Sequence, residues 1–167
     1  MLKIIITGPE SSGKTTLCKD LAIYFKVPFT EEYAREYLTN LNKKYKQKDL
    51  LIIAKQQLKN EQINIQHKII LLDTDLITIK IWSNYKFKRC NKWISKNIQK
   101  QTKEDRLYVL CKPDIDWEKD PLRENPNTRT KIFKLYEEEL IKLKHNYFII
   151  QGRARLSFAI SEIEKRI

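Results

Sequence analysis

Residues 8–15 read GPESSGKT and decide the fold of this chain. Two glycines separated by four residues, the second followed by Lys and Thr, form the pattern of the phosphate-binding loop of nucleoside triphosphatases. The preceding stretch, Leu2–Thr7, holds three consecutive isoleucines, as a buried parallel strand requires. After the loop, Leu17, Leu21 and Tyr24 recur at the spacing of one helical face. A strand, a tight turn and a helix therefore surround the motif, which is the context in which such a loop works.

The chemistry expected of this loop is the binding of a triphosphate. Its glycines let the backbone turn tightly and approach an anion, and amide N–H groups at the helix N-terminus then point at the phosphates. We expect Lys14 to reach the β- and γ-phosphates and the Thr15 hydroxyl to bind Mg²⁺. The residues predicted to hold ATP are Gly8, Pro9, Glu10, Ser11, Ser12, Gly13, Lys14, Thr15 and Thr16.

Composition indicates one globular domain over residues 1–167, a length that supports a full hydrophobic core. No run approaches the roughly 20 apolar residues of a membrane span, and the chain enters its first strand at once, so we expect no membrane segment and no signal peptide. Cys18, Cys90 and Cys111 are widely spaced and show no metal-binding pattern. They are typical of reduced thiols in a cytoplasmic protein.

The net charge of +12 raises the question of a nucleic-acid partner. Lysines are scattered along the whole chain, and the one patch that mixes basic and aromatic residues is Trp82–Lys103. We therefore do not expect nucleic-acid binding, although a charge-driven nucleic-acid binder stays an alternative. A positive field also suits an anionic nucleotide substrate. The oligomeric state is left open.

Four further strands follow from the apolar runs. They are predicted at residues 27–30, at 68–73, at 106–111 and at 146–150. Between them, residues 39–48 are expected to form a loop, and Asp49 to cap a helix that runs to about Gln66. A helix is predicted over residues 76–85 and a less regular basic stretch over residues 86–103. Thr128 is expected to cap the helix that precedes the fifth strand.

Acidic residues follow two of the predicted strands. Because ligands of open α/β sheets bind at the carboxyl ends of strands, Asp73 is expected to hold Mg²⁺ and Asp75 to face substrate or metal. Glu32 follows the second strand, where it could orient an acceptor hydroxyl or take its proton. Arg35 lies three residues later, on the same helical face. An exposed ion pair between Glu32 and Arg35 is the structural alternative.

Residues 114–130 are rich in charge, Pro and Asn and predict a lid over the site. Arg123 and Arg129 on such a lid would neutralise charge during phosphoryl transfer. Trp82 could line a pocket, but an aromatic residue at this point in a helix is more often part of the core. The Gly152–Ala154 turn after the fifth strand is a candidate site for adenine.

Four motifs together resemble a known family, the ribosylnicotinamide kinase domain of NadR-type NAD-biosynthesis proteins and their stand-alone AAA-type ATPase relatives. The motifs are GPESSGKTTL (8–17), EEYAREYL (31–38), LLDTD (71–75) and DWEKDPLRENPNTR (116–129). The resemblance implies an α/β P-loop fold like that of nucleoside-monophosphate kinases. We expect its parallel five-stranded sheet, flanked by helices, to have the order 2-3-1-4-5. It also implies that ATP with Mg²⁺ phosphorylates the hydroxyl of nicotinamide riboside.

Carried over to this sequence, the resemblance implies roles for individual residues. Those implied for substrate binding are Glu32, Tyr33, Arg35, Asp75, Trp117 and Asp120, and those for catalysis are Lys14, Glu32, Asp75, Arg123 and Arg129. In this family two aromatic residues sandwich the nicotinamide, and their places fall here near Glu31 and Asp49, neither of which is aromatic. Carboxylates, or Tyr33, Tyr37 or Tyr45, could hold the ring instead. A kinase for another nucleoside or nucleotide, and an ATPase or regulatory module without an acceptor, stay open as alternatives.

Overall fold

A computed structural model describes residues 1–63 and 67–167 of the chain. Its centre is a parallel sheet of five strands in the order β2-β3-β1-β4-β5, which confirms the predicted α/β fold and strand order. The strands are β1 (Leu2–Thr7), β2 (Phe29–Thr30), β3 (Ile69–Asp73), β4 (Arg106–Cys111) and β5 (Asn146–Ile150). β2 is shorter than predicted, since Val27 and Pro28 lie outside it and a proline cannot donate to the ladder.

Helices connect and cover the strands. They are α1 (Lys14–Phe25), α2 (Tyr33–Asn40), α3 (Gln47–Asn60), α4 (Leu76–Phe87), α5 (Lys92–Gln101), α6 (Arg129–Lys142) and α7 (Arg155–Glu164). The prediction of an irregular stretch over residues 86–103 is wrong, because α5 occupies its second half. The Asn91 side chain caps α5 by accepting a bond from Trp93 N, and Ile94 and Ile98 bury its apolar face. This apolar face is short and lies among lysines, so the sequence pattern did not indicate a helix.

The start of α3 also differs from the prediction. Asp49 does not cap the helix; it lies in the first turn, and its Oδ2 accepts a bond from the Lys46 backbone N at 2.6 Å. This is the reciprocal half of a capping box. The helix ends at Asn60 rather than near Gln66, and residues 64–66 of the predicted helix lie outside the described residues. Thr128 precedes α6, but its side chain makes no capping bond within the described chain.

The sheet separates two hydrophobic clusters. Because side chains alternate along a strand, Ile4 and Ile6 face α1 and α7, whereas Ile5 faces the side covered by α3 to α6. All five strands run parallel, so their carboxyl ends meet at one edge, where the loop after β1 lies. None of the helices in the described ranges combines the length and the hydropathy that a bilayer span would need.

Candidate functional site

The loop between β1 and α1 is shaped by two glycines with positive φ. Gly8 has φ of 135°, and a Cβ there would lie 2.5 Å from the backbone oxygen of Cys111 at the end of β4. Gly13 has φ of 78° and directly precedes the first residue of α1. Any side chain at Gly8 would displace the backbone of β4, and any at Gly13 would be strained. The two glycines therefore fix the turn that aims the loop amides and the α1 N-terminus into the site.

Within the loop, two side chains bind the same carbonyl. Ser12 Oγ donates to the Pro9 oxygen at 2.7 Å, and Lys14 Nζ donates to it at 2.8 Å. The ammonium group of Lys14 is thus held against the backbone of the loop. A phosphate bound by the loop amides would compete with this single carbonyl for the ammonium group.

Thr15 and Asp73 join the loop to the end of β3. The Thr15 hydroxyl donates to Asp73 Oδ2 at 2.6 Å. Asp73 is buried, and its Oδ1 atom has no hydrogen-bond partner among residues 1–63 and 67–167. Burial raises the pKa of Asp73, while the Thr15 bond and the Lys14 charge oppose that shift. A hydroxyl and a partly unsatisfied carboxylate are the hard oxygen ligands that Mg²⁺ prefers, so the two side chains fit such an ion.

A cavity of about 520 Å³ opens beside the loop. Its walls come from the loop, from α2, α4 and α6, and from residues 112–128 between β4 and α6, which we call the β4–α6 segment. The lining residues are Gly8 to Thr16, Glu32, Ala34, Arg35, Leu38, Thr78, Ile81, Trp82, Tyr85, Ile115, Asp116, Trp117, Glu118, Leu122, Arg123, Asn125, Ile132 and Tyr136. The nine residues predicted to hold ATP are therefore all on its wall, as are the predicted Glu32, Arg35, Trp117 and Arg123.

Three further predicted residues, Asp120, Arg129 and Tyr33, do not line the cavity. Asp120 does not line the cavity but pairs with Arg35 at 2.9 Å. Arg129 donates to the backbone oxygens of Ser11 and Ile115, at 2.9 and 3.0 Å, and so fixes the loop against the β4–α6 segment. The ring of Tyr33 packs beside Tyr37 and the core, away from the cavity. Tyr33 and Asp120 thus contact other protein groups rather than the cavity space.

The placement expected for Asp75 is wrong. Its side chain is fully buried, where Oδ1 caps α4 through Ile77 N and Oδ2 accepts bonds from Arg106 at 3.1 Å and the Tyr108 hydroxyl at 2.7 Å. Thr74, with φ of 68°, joins β3 to Asp75, and the Asp75 side chain binds two residues of β4 and does not line the cavity. Through Arg106, Asp75 therefore belongs to an ionic network with the buried Lys3 and Glu61 and the exposed Glu104.

Glu32 stands at the junction of β2 and α2. It precedes α2 in extended conformation, so it does not share a helical face with Arg35 as predicted. Burial, and then the negative charge of Asp73, raise the pKa of Glu32 to about 7, while Lys14 and Arg35 oppose the shift. A carboxyl group that titrates near neutral pH can exchange a proton with a bound hydroxyl.

Two loop residues bind the β4–α6 segment. Ser11 Oγ accepts a bond from Glu118 N at 2.9 Å and donates to the Asp116 oxygen at 3.3 Å. Glu10 Oε2 accepts the backbone N–H groups of Glu124 and Asn125, both at 3.0 Å. The segment is therefore attached to the phosphate-binding loop itself and covers the cavity beside it.

One wall of the cavity is aromatic. Thr78, Ile81, Trp82 and Tyr85 follow helical spacing along α4, and Tyr136 of α6 completes the surface. We call Trp82, Tyr85 and Tyr136 the aromatic wall. The expectation that Trp82 is part of the core is thus only half met, since its ring also borders the cavity. In the sequence, the aromatic wall is indicated only by the spacing of Trp82 and Tyr85, which are three residues apart on one helix.

Arg155 was not predicted as a site residue, but it binds three groups at or near the phosphate-binding loop. Its guanidinium group donates to the Ser12 oxygen at 2.8 Å and to the Lys112 oxygen at 2.9 Å, and pairs with Asp114. Asp114 in turn accepts a bond from Gly152 N at 2.7 Å. The first residue of α7 thereby joins the phosphate-binding loop to the ends of β4 and β5.

Comparisons with known proteins agree with this geometry. A family model described as AAA domain matches residues 3–155. The trifunctional NAD biosynthesis/regulator protein NadR of Salmonella typhimurium is 25% identical over 158 residues. That alignment covers 87% of this chain but 37% of the relative, so the chain spans less than half the length of the curated protein that it matches.

Solved structures show the same fold. One described as NadR protein in complex with NR has a TM-score of 0.75 at 21% identity, over 98% of this chain and 50% of that one. Thymidylate kinase from Ehrlichia chaffeensis has a TM-score of 0.71 at 16% identity, over 97% of this chain and 98% of that one. The resemblance seen in the sequence motifs is confirmed. With its P-loop kinase fold and a family match over most of its length, the chain belongs to the AAA-domain family.

Proposed function

We propose that this chain is a phosphotransferase that moves the γ-phosphoryl group of ATP to the hydroxyl of a nucleoside, with nicotinamide riboside as the best candidate. The observation that carries the proposal is that one cavity joins the phosphate-binding loop to Glu32 and to the aromatic wall. An ATPase without an acceptor has no use for a second, aromatic compartment beside its triphosphate site. The similarity to NadR supports the choice of acceptor.

Charge neutralisation is the main task in phosphoryl transfer, because charge spreads over the oxygens of the transferred group. Lys14 leaves the Pro9 oxygen to bind the β- and γ-phosphates, and the loop amides bind the remaining oxygens. Arg123 lines the same cavity and supplies a second positive charge from the β4–α6 segment. With that segment closed as a lid, water is excluded and hydrolysis of ATP is suppressed.

Glu32 acts on the acceptor side. It accepts a hydrogen bond from the acceptor hydroxyl, orients its oxygen towards the γ-phosphorus, and takes the proton as the new bond forms. Thr15 and Asp73 are the residues that would hold Mg²⁺. When bound, the ion supplies charge neutralisation for the phosphate oxygens.

The aromatic wall supports a flat ring as part of the acceptor. Asp49, near one place where the family has a ring-stacking aromatic residue, is buried and bound to the Tyr37 hydroxyl at 2.9 Å, so it offers nothing to a ligand. Trp82, Tyr85 and Tyr136 provide ring surfaces from other elements. The nearby carboxylates of Glu10 and Glu32 suit the positive charge of nicotinamide riboside.

The test is a panel of acceptors with γ-labelled ATP. We expect transfer of label to nicotinamide riboside, and weaker or no transfer to thymidine, deoxyadenosine or dTMP. Lys14→Ala should abolish turnover, because it removes the ammonium group that binds phosphate. Since Lys14 lines the cavity, its loss should not change the thermal midpoint of unfolding. ATP hydrolysis that no nucleoside or nucleotide alters would overturn the proposal, as would a fully active Lys14→Ala protein.

A further inference from the structure

The hydroxyl of Tyr45 joins two parts of the molecule that border the cavity. It donates to Glu124 Oε2 on the β4–α6 segment at 2.6 Å. It accepts bonds from two residues of α4, Trp82 Nε1 at 2.9 Å and Lys86 Nζ at 2.6 Å. Tyr45 itself lies between α2 and α3 and does not line the cavity. Tyr45 thus lies outside the cavity but contacts both the β4–α6 segment and the aromatic wall.

These bonds use the full capacity of the hydroxyl, which has one donor and two acceptor positions. Burial, and then the hydrogen bond to Glu124, raise the pKa of Tyr45, so the group stays protonated and can donate. Lys86 Nζ also lies 3.9 Å from the centre of the Tyr45 ring and pairs with Glu124 at 2.7 Å. Tyr45 is therefore held in one orientation by charge as well as by hydrogen bonds.

The contacts continue in both directions. Glu124 is fixed to the phosphate-binding loop, because its backbone N donates to Glu10 Oε2 at 3.0 Å. On the other side, the Tyr45 ring meets the Trp82 ring edge-on with centroids 5.0 Å apart, which fixes the plane of the indole beside the cavity. One chain of contacts thus runs from the loop through the β4–α6 segment and Tyr45 to the aromatic wall.

From this chain of contacts we infer that Tyr45 is a positioning residue, whose hydroxyl sets the Trp82 ring for acceptor binding when the β4–α6 segment is closed. The inference rests on the proposed function, since it takes the aromatic wall as the acceptor site. A bond that served only stability would leave the ratio of the two substrate KM values unchanged. A positioning role changes the KM of the acceptor while that of ATP stays constant.

The experiment compares Tyr45→Phe with Tyr147→Phe. Both changes remove one hydroxyl, and Tyr147 donates at 3.3 Å to Glu137, whose side chain lies outside the cavity. With nicotinamide riboside and ATP, Tyr45→Phe should raise the acceptor KM about tenfold, the size of effect expected when the Trp82 ring loses its hydrogen bond to Tyr45. The KM of ATP should stay within about twofold of the wild-type value. Tyr147→Phe should change neither.

A second measurement does not depend on turnover. Backbone hydrogen exchange over residues 114–128 and 82–86 should become faster in Tyr45→Phe and not in Tyr147→Phe. Equal exchange in the two variants would overturn the inference, as would equal acceptor KM values. If the wild-type protein phosphorylates no acceptor, the proposed function fails, and the exchange measurement still decides whether Tyr45 links the segment to α4.

Discussion

The Thr15 hydroxyl is hydrogen-bonded to Asp73 Oδ2 at 2.6 Å, which brings the end of the phosphate-binding loop to the tip of β3. The two residues are 58 positions apart in the chain, so only the parallel pairing of β1 with β3 puts them in contact. This arrangement presents one hydroxyl and one carboxylate to the same space beside the loop.

Removing that hydroxyl should weaken the binding of Mg²⁺ by a measurable amount. We expect Thr15→Ala to raise the Mg²⁺ concentration needed for half-maximal turnover at least about tenfold, since one oxygen ligand is lost. Thr15→Ser keeps the hydroxyl and should behave nearly as the wild type. A Mg²⁺ titration of phosphoryl transfer at saturating ATP measures both. Identical titrations for Thr15→Ala and the wild type would contradict the assignment.

Glu32 predicts the pH dependence of the reaction. Because the base must be ionised, kcat/KM should fall as the pH drops below about 7, the pKa given to Glu32 mainly by burial. Glu32→Gln should lower kcat strongly and remove this acidic limb from the residual rate. Rate profiles between pH 5 and pH 9 test the point, and an unchanged acidic limb in Glu32→Gln would assign the base to another group.

The same pKa shift carries a stability prediction. The folded-state pKa of about 7 exceeds the ordinary value of 4.5, so the folded state loses stability relative to the unfolded chain as the pH rises through this window. Glu32→Gln avoids that loss. Its thermal midpoint should exceed that of the wild type at pH 8, and the difference should close towards pH 4.5. A constant difference across the range would show that the charge of Glu32 is not the cause.

The two arginines of the 114–130 stretch should differ in effect. Arg123 lines the cavity, so Arg123→Ala should lower kcat about 100-fold, as loss of a group that stabilises developing charge does. Arg129 binds the Ser11 oxygen and lies 5.6 Å from the Trp117 ring centre, so Arg129→Ala should act on substrate KM through the β4–α6 segment. Steady-state kinetics separate the two, with exposed Arg166→Ala as control. A loss of kcat in Arg129→Ala, with only a change of KM in Arg123→Ala, would exchange the two roles.

Most of the fold was predictable because its signals are local. The phosphate-binding loop, the run Ile4–Ile6 and the apolar run before Asp73 each specify an element without reference to distant parts of the chain. Site residues that adjoin these signals were predictable from the local pattern, whereas Arg123 was predicted from the charged 114–130 stretch and Trp117 from the family resemblance. Trp82 was predicted to be part of the core rather than to line a pocket, and Tyr85 was not identified, because a core face and a cavity face have the same helical spacing.

Contacts between distant residues set the remaining parts of the site. Asp75 follows Asp73 in an acidic pair that is typical of a metal site, yet its partner Arg106 lies 31 residues away on β4. Arg155 binds the oxygen of Ser12 across 143 positions of sequence. Neither pairing leaves a pattern in the local sequence, since each depends on how strands and helices are brought together in three dimensions.

The corrected place of Asp75 gives a direct test. Asp75→Ala leaves the buried Arg106 without one partner and Tyr108 without its acceptor, so we expect a loss of about 3–5 kcal/mol in the free energy of unfolding. The kcat of the protein that stays folded should be close to wild type, because Asp75 does not line the cavity. Exposed Asp105→Ala is the matched control and should change neither quantity. A stable Asp75→Ala protein without activity would restore the substrate role.

Arg155 should affect ATP binding and not the acceptor. Its guanidinium group donates to the Ser12 and Lys112 oxygens and pairs with Asp114, so Arg155→Ala frees the phosphate-binding loop from the ends of β4 and β5. We expect the KM of ATP to rise about tenfold or more, since hydrogen bonds of a charged group are lost, with the acceptor KM unchanged. Arg155→Lys should not restore the wild-type value, because an ammonium group cannot reproduce the planar fork that reaches three partners. Equal increases in both KM values would instead indicate that Arg155 supports the whole cavity.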